Sequence, residues 1–364
     1  MFITDHLDFI IYQKGLPALI SLFYNLLMLA FDLGALGILR RRRTVWVALA
    51  ALAGVGLVAF FLALTMGHSF LRVRLLAYGI FLHALVMLVG CGILLWKTSR
   101  PACLMCVVLA VLLAAVAVDA FLLEPVWLEV NRYRIVSNKL SGPLRIVVIA
   151  DLQTDVIGPY ERRALERAMA ERPDLILLAG DYLQEDDPAR RERLQKQLNK
   201  LLHEMKFGAP HGVYAVAGNT DGWRWSKIFA GLDVEILSQS RSVVRGDLQI
   251  TGLTLRDSFD PHMKIAASEK FHIVLGHAPD FALGRIDADL LVAGHTHGGQ
   301  VRLPFYGPPV TLSRVPRRWA AGLTDLDGGR KLLVSRGVGM ERGDAPRLRF
   351  LCRPELVVLE LNPE

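Results

Sequence analysis

The chain has 364 residues, 52% of them hydrophobic, and a mean hydropathy of +0.35, which is too apolar for an ordinary water-soluble protein of this length. Its formal charge of +7 invites a nucleic-acid partner, but nine basic and five acidic residues precede position 126, so the remaining 239 residues carry only +3, with both signs interspersed. That distribution suits membrane loops and anionic headgroups and argues against a nucleic-acid surface.

In chain order, four apolar runs come first, at 17–39, 45–66, 74–96 and 101–123. Each approaches the ~20 residues a helix needs to cross a bilayer. They are separated by "RRRR" (40–43), "GHSFLRVR" (67–74) and "KTSRP" (97–101). The first run is too long and too far from the start for a cleavable signal peptide. The spacing predicts four membrane helices over 1–125 and a globular domain over 126–364. Arg40, Arg41, Arg42, Arg43, Lys97 and Arg100 put the first and third loops inside. The expectation is a multi-pass cell (inner) membrane protein whose domain faces away from the cytoplasm. Arg72, Arg74, Arg132 and Arg134 argue for the cytoplasmic face instead. Within the spans, Asp32 and Asp119 are expected near the ends, while Asn25 and His83 bond across helices. Without clustered charges the helices read as an anchor and not a transporter. Cys103 and Cys106, inside the fourth run, read as small packing residues.

Past residue 126 the pattern becomes α/β. "LRIVVIAD" (144–151), "PDLILLAGD" (173–181) and "GVYAVAGN" (212–219) are short apolar strands, alternating with amphipathic helices at 160–171 and 188–205. Further strands are predicted at 248–254, 271–276, 288–293, 331–336 and 355–361. Helical signals are sparse there, so more antiparallel pairing is expected. Nearly every strand ends in a metal-ligand type: Asp151, then Asp181 in "GD", Asn219 in "GN", His277 in "GH", and His295 and His297 in "GHTHGGQ". Sites in open α/β sheets form outside the carboxyl ends of strands. Oxygen and imidazole donors without thiolate suit Mn, Fe, Zn or Co. His68, His203, His211, His262 and His272 lack such framing and read as surface residues.

The order of these motifs resembles the calcineurin-like metallophosphoesterases, whose pattern is D-x-H, G-D, G-N-H-D/E, a later His and G-H-x-H, over about 144–362. "AGHTHGGQVRLP" (293–304), "GHAPD" (276–280) and "VSRGVG" (334–339) are similar to a subgroup with membrane-anchored or exported members. Some of these cleave the pyrophosphate of UDP-diacylglucosamine. The resemblance implies a four-layer α/β/β/α sandwich after the four membrane helices and two divalent metals, Mn²⁺ first, with Fe, Zn, Co or Mg as alternatives. It implies that Asp181 bridges them, one held also by Asp151, residue 153 and His297, the other by Asn219, His277 and His295. Asp181, Asn219, Thr220 and Asp221 are the expected catalytic residues. The implied activity is hydrolysis of a phosphodiester or pyrophosphate in a phosphorylated, lipid-linked or nucleotide-sugar-lipid substrate.

Two positions depart from the pattern. Gln153 replaces the histidine of D-x-H, offering a neutral oxygen that tilts the site toward harder ions such as Mn or Mg. Thr220 replaces the histidine of G-N-H-D and cannot act as an acid near pH 7. The alternative is therefore a weakened metal-binding membrane protein with a ligand-binding or regulatory role. Asp155, Asp221 and Asp257 are candidates for the missing acid, with turn-forming as the plainer reading.

Overall fold

The computed structural model describes the backbone of residues 2–364 and the side chains of residues 15–364. It divides into two compact units, one running to Leu122 and including Gly343–Pro346, the other covering Leu123–Arg342 and Arg347–Glu364.

The first unit is helical: α1 (Phe2–Arg42), α2 (Val45–Met66), α3 (Ser69–Tyr78), α4 (Leu85–Leu95) and α5 (Arg100–Val118). A π-helical turn, Gly79–Ala84, joins α3 to α4, and short turns carry α5 on to Val126, leaving, among the described residues, four rods long and apolar enough to cross a membrane. Large apolar side chains such as Phe23, Trp46, Ile93, Leu104 and Leu112 point outward. Asp32 is buried among the helices, 1% exposed. Its Oδ2 lies 2.7 Å from His83 Nδ1, whose other nitrogen is 3.0 Å from Asn25 Oδ1. A carboxylate in such surroundings needs a partner on another helix, and the π turn that carries His83 supplies it.

The second unit holds two six-stranded sheets. The first runs β1 (Glu129–Val136), β14 (Glu355–Asn362), β2 (Leu144–Ile149), β3 (Leu175–Leu178), β4 (Val213–Ala215), β5 (Glu235–Ile236). The second runs β12 (Gly322–Asp325), β13 (Lys331–Val334), β11 (Leu290–Ala293), β9 (Phe271–Leu275), β7 (Leu248–Gly252), β6 (Arg241–Arg245). β8 (Lys264–Ile265) and β10 (Arg285–Ile286) pair with each other. Strand alternation sorts the core. Ile146 and Val148 face the other sheet and meet Ile250, Ile273, Val292 and Leu333. Val147 and Ile149 face outward under α6 (Pro159–Ala170) and α7 (Pro188–Glu204), against Leu165, Leu194, Leu198 and Leu202. Each fully buried side chain of this size contributes about 1.5–3 kcal/mol. The outer face of the second sheet, Val274, Leu291 and Val334, is covered by Phe281, Ala282 and Trp319 from short 3₁₀ turns. The layers are thus α/β/β/α, with the last one thin.

The antiparallel pairing expected in the second half of the chain is there, at β6–β7, β12–β13 and β14–β2, but it stays at the margins of a parallel core. The second sheet is parallel through β7, β9, β11 and β13, and antiparallel only at its β6 and β12 edges. Parallel crossovers need a dozen or more residues but not a long helix, and α8 (Leu255–Ser258) with the 3₁₀ turn Pro279–Leu283 serves here. His272 differs from its surface reading. It is fully buried on β9, its Nε2 2.7 Å from Thr251 Oγ1, and burial lowers its pKa.

Candidate metal centre

Because β2, β3 and β4 run parallel, as do β9 and β11, their carboxyl ends gather the polar residues that follow them. The backbone there is bent sharply. Asp151, Gln153, Asp181, His295 and His297 have φ of +48°, +33°, +55°, +68° and +49°. Such conformations cost about 1–3 kcal/mol each and persist only where neighbours enforce them. The Asp221 carboxylate is one enforcer. Its Oδ2 accepts the N–H groups of Asp181 and Gly218, each at 2.8 Å, and its Oδ1 that of Tyr182 at 2.9 Å. Glycine supplies the clearance. A Cβ on Gly294 would lie 2.5 Å from Asp151 Oδ2, so no other residue fits there.

Ligand atoms of Asp151, Asp181 and His277 lie within 4.8 Å of one another, all buried. His277 Nε2 is 3.5 Å from Asp181 Oδ2. Asn219 Oδ1 is 2.8 Å from both His277 Nε2 and His295 Nδ1. Burial pushes both imidazoles down to about 4, so each is neutral at pH 7 and has one N–H. His277 commits it to Ala179 O at 2.8 Å, and His295 to Leu312 O at 3.2 Å. Two lone pairs therefore face Asn219. A turned amide would satisfy them, but it would leave Asp181 Oδ2 buried with no partner. A cation would satisfy all four donor groups, and tying the far nitrogen of a ligating histidine to a carbonyl is how such ligands are oriented.

The acids make the same point. Burial pushes Asp181 up to about 7, and burial with the Asp181 charge beside it raises Asp151 well above the carboxylate range. A group with a raised folded pKa stabilises the fold at low pH and loses that contribution as pH climbs through the folded value. The histidines, shifted down from 6.5, act only below that pH. From pH 6.5 to 8 the metal-stripped chain should therefore lose thermal stability, and Mn²⁺ should restore more at pH 8 than at pH 6.5. A metal-free Tm that stays level or rises across that range would contradict the carboxylate crowding.

Residues 144–299 match the family model described as calcineurin-like phosphoesterase. Phosphodiesterase YaeI of Escherichia coli (strain K12) is 31% identical over 255 residues, covering 65% of this chain and 90% of that protein. The chain belongs to the calcineurin-like phosphoesterase family. The uncharacterized metallophosphoesterase YkuE of Bacillus subtilis (strain 168) is also 31% identical, over 66% of this chain and 87% of its own. An uncharacterized metallophosphoesterase of Campylobacter jejuni is 26% identical over 70% of this chain and 68% of its own. Members use divalent metals, and the donor set here fits them.

The remaining positions of this phosphoesterase are less symmetrical. Gln153 Nε2 donates to Gln184 Oε1 at 3.1 Å and Glu341 Oε2 at 3.0 Å, which leaves its Oε1 buried and unpartnered. Glu341 and Gln184 were missed by sequence reading, since neither belongs to a motif. Burial raises the pKa of Glu341. His297 lies outside the compact Asp151–Asp181–His277 group. Its Nδ1 is 3.5 Å from Nη2 of Arg349, a fully buried guanidinium that also donates to the carbonyls of Arg336, Gly339 and Cys352. Burial and that charge hold His297 well below the usual histidine range. Thr220 donates its N–H to Asp181 Oδ1 at 2.7 Å, while its hydroxyl is buried without a partner. Asp155 is paired with Arg342 and Arg347, and Asp257 accepts from Ser240. Trp225 stacks on Tyr182 inside the unit, whereas Trp223 is exposed.

Proposed function

We propose that this phosphoesterase is a membrane-anchored, metal-dependent hydrolase of a phosphodiester or pyrophosphate, with a lipid-linked molecule as its natural substrate. The observation that carries the reading is the convergence of His277, His295, Asn219 and the unpartnered Asp181 oxygen on one point. Two divalent metals, Mn²⁺ or Mg²⁺ in preference, would supply Lewis-acid activation of water and neutralise charge on the phosphoryl oxygens. Asp181 would be shared between them. Asp151, Gln153 and His297 would hold one, and Asn219, His277 and His295 the other. Asp221 acts by holding the Asp181 turn, because its oxygens are already spent on backbone N–H groups.

Thr220 sets the substrate preference. Its free hydroxyl can donate one hydrogen bond to a leaving oxygen but cannot transfer a proton near pH 7, which favours good leaving groups such as a nucleotide phosphate. The apolar helices support a bilayer location, and the Lys and Arg balance of the loops supports an extracytoplasmic domain, which a reporter fused after Glu364 reads directly. A second reading, a metal-binding regulator without turnover, draws on Gln153 and Thr220. The two readings part over Mn²⁺-dependent hydrolysis of an activated phosphodiester by the full chain, run beside Asp181→Asn.

A further inference from the structure

The chain enters its second unit on the rim that carries the metal centre. β14 runs antiparallel to β2, and β1 is parallel to β14 with Glu129 in register with Glu355, so the start of β1 lies beside the carboxyl end of β2. Only Trp127 and Leu128 separate Glu129 from the apolar helix that ends at Val126. On the last turn of that helix, Glu124 accepts the backbone N–H of Leu351 at 2.8 Å and that of Cys352. The neighbouring Phe350 bridges to Val301 and accepts the Arg302 N–H at 2.9 Å. The foot of the loop after GHTHGGQ is thus fastened to the tether itself.

That loop is built unlike the rest of the unit. Leu303, Phe305, Tyr306, Val310 and Leu312 are 45%, 111%, 55%, 52% and 56% exposed. Phe305 packs against nothing and holds φ +64°, a costly state for a bulky residue in water. Arg302, Arg314, Arg317 and Arg318 flank the tip, with the Arg317 guanidinium 4.5 Å over the Tyr306 ring. At its far end Leu312 O meets His295 Nε2. An apolar aromatic tip collared by arginines is the chemistry of the acyl–headgroup boundary.

We propose that residues 303–312 dip into the bilayer, so that the mouth of the metal centre opens onto lipid. The occupant is the membrane holding the chain's own helices. A two-residue tether on this same rim keeps that surface near, and the arginines complement anionic headgroups. The inference rests on the membrane-anchored reading but not on turnover.

The test uses the full chain in vesicles of phosphatidylcholine and phosphatidylglycerol, with an environment-sensitive fluorophore on Phe305→Cys, on Val310→Cys, and on Glu269→Cys just before β9 at the opposite rim. The four native cysteines are buried. Brominated acyl chains should quench the labels at 305 and 310, with blue-shifted emission, and leave 269 as in water. Aqueous emission at both loop positions, or equal quenching at all three, overturns the proposal. Vesicle flotation separates the two layers of the argument: a chain that does not float overturns the anchoring as well, whereas a floating chain with aqueous loop labels overturns this inference alone.

Discussion

Asp181→Asn should abolish metal-dependent hydrolysis while leaving the fold intact. The variant keeps the size of the side chain and the oxygen that accepts the Thr220 N–H, but removes the charge from the carboxylate proposed to touch both metals. Charge stabilisation by metal is worth several kcal/mol in a phosphoryl-transfer transition state. At about 1.4 kcal/mol per factor of ten, the expected loss is roughly 10²–10⁴-fold. Metal content measured on the purified variant should fall as well. Its metal-free form should unfold at a higher temperature than wild type above pH 7, because a buried acid with a pKa near 7 no longer has to ionise there. Loss of turnover with gained metal-free stability cannot come from misfolding. A variant that keeps wild-type turnover would remove Asp181 from the shared position. If wild type itself is silent with Mn²⁺, Mg²⁺, Zn²⁺ and Co²⁺, the regulatory reading replaces the catalytic one.

Thr220→His should raise the rate on substrates with poor leaving groups and change little for good ones. General acid assistance is typically worth 10²–10⁴-fold, and a histidine can supply it where a hydroxyl cannot. The 2.7 Å contact to Asp181 comes from the backbone N–H that any residue retains, although the Thr220 side chain also helps hold the Asp181 charge. The cost is crowding, about 1–3 kcal/mol for enlarging a packed position. The measurement is a series of aryl phosphodiesters of graded leaving-group pKa. A flatter dependence in the variant places residue 220 beside the leaving oxygen, and an unchanged slope means that it does not reach it.

Much of this was readable from residue order. The four apolar runs were visible because a bilayer imposes a length on any helix that spans it. The candidate ligands Asp151, Asp181, Asn219, His277, His295 and His297 stood out because each follows a short apolar strand, and glycine before several of them marks a close approach, as the contact of Gly294 with Asp151 bears out. These are local signals, carried by neighbours in the chain.

What only the tertiary structure decided involves partners far apart in sequence. Glu341 orients the Gln153 amide from 188 positions away, and Arg349 stands beside His297 from 52 away. His83 pairs with one oxygen of Asp32 across 51 residues. The parallel core of the second sheet was hidden because its crossovers use short turns in place of helices with a readable period. Asp221 was legible as either an acid or a turn former, and three backbone N–H groups on its oxygens show that it clamps the turn. A residue type states which bonds a side chain can make, and only the fold settles which of them are already taken.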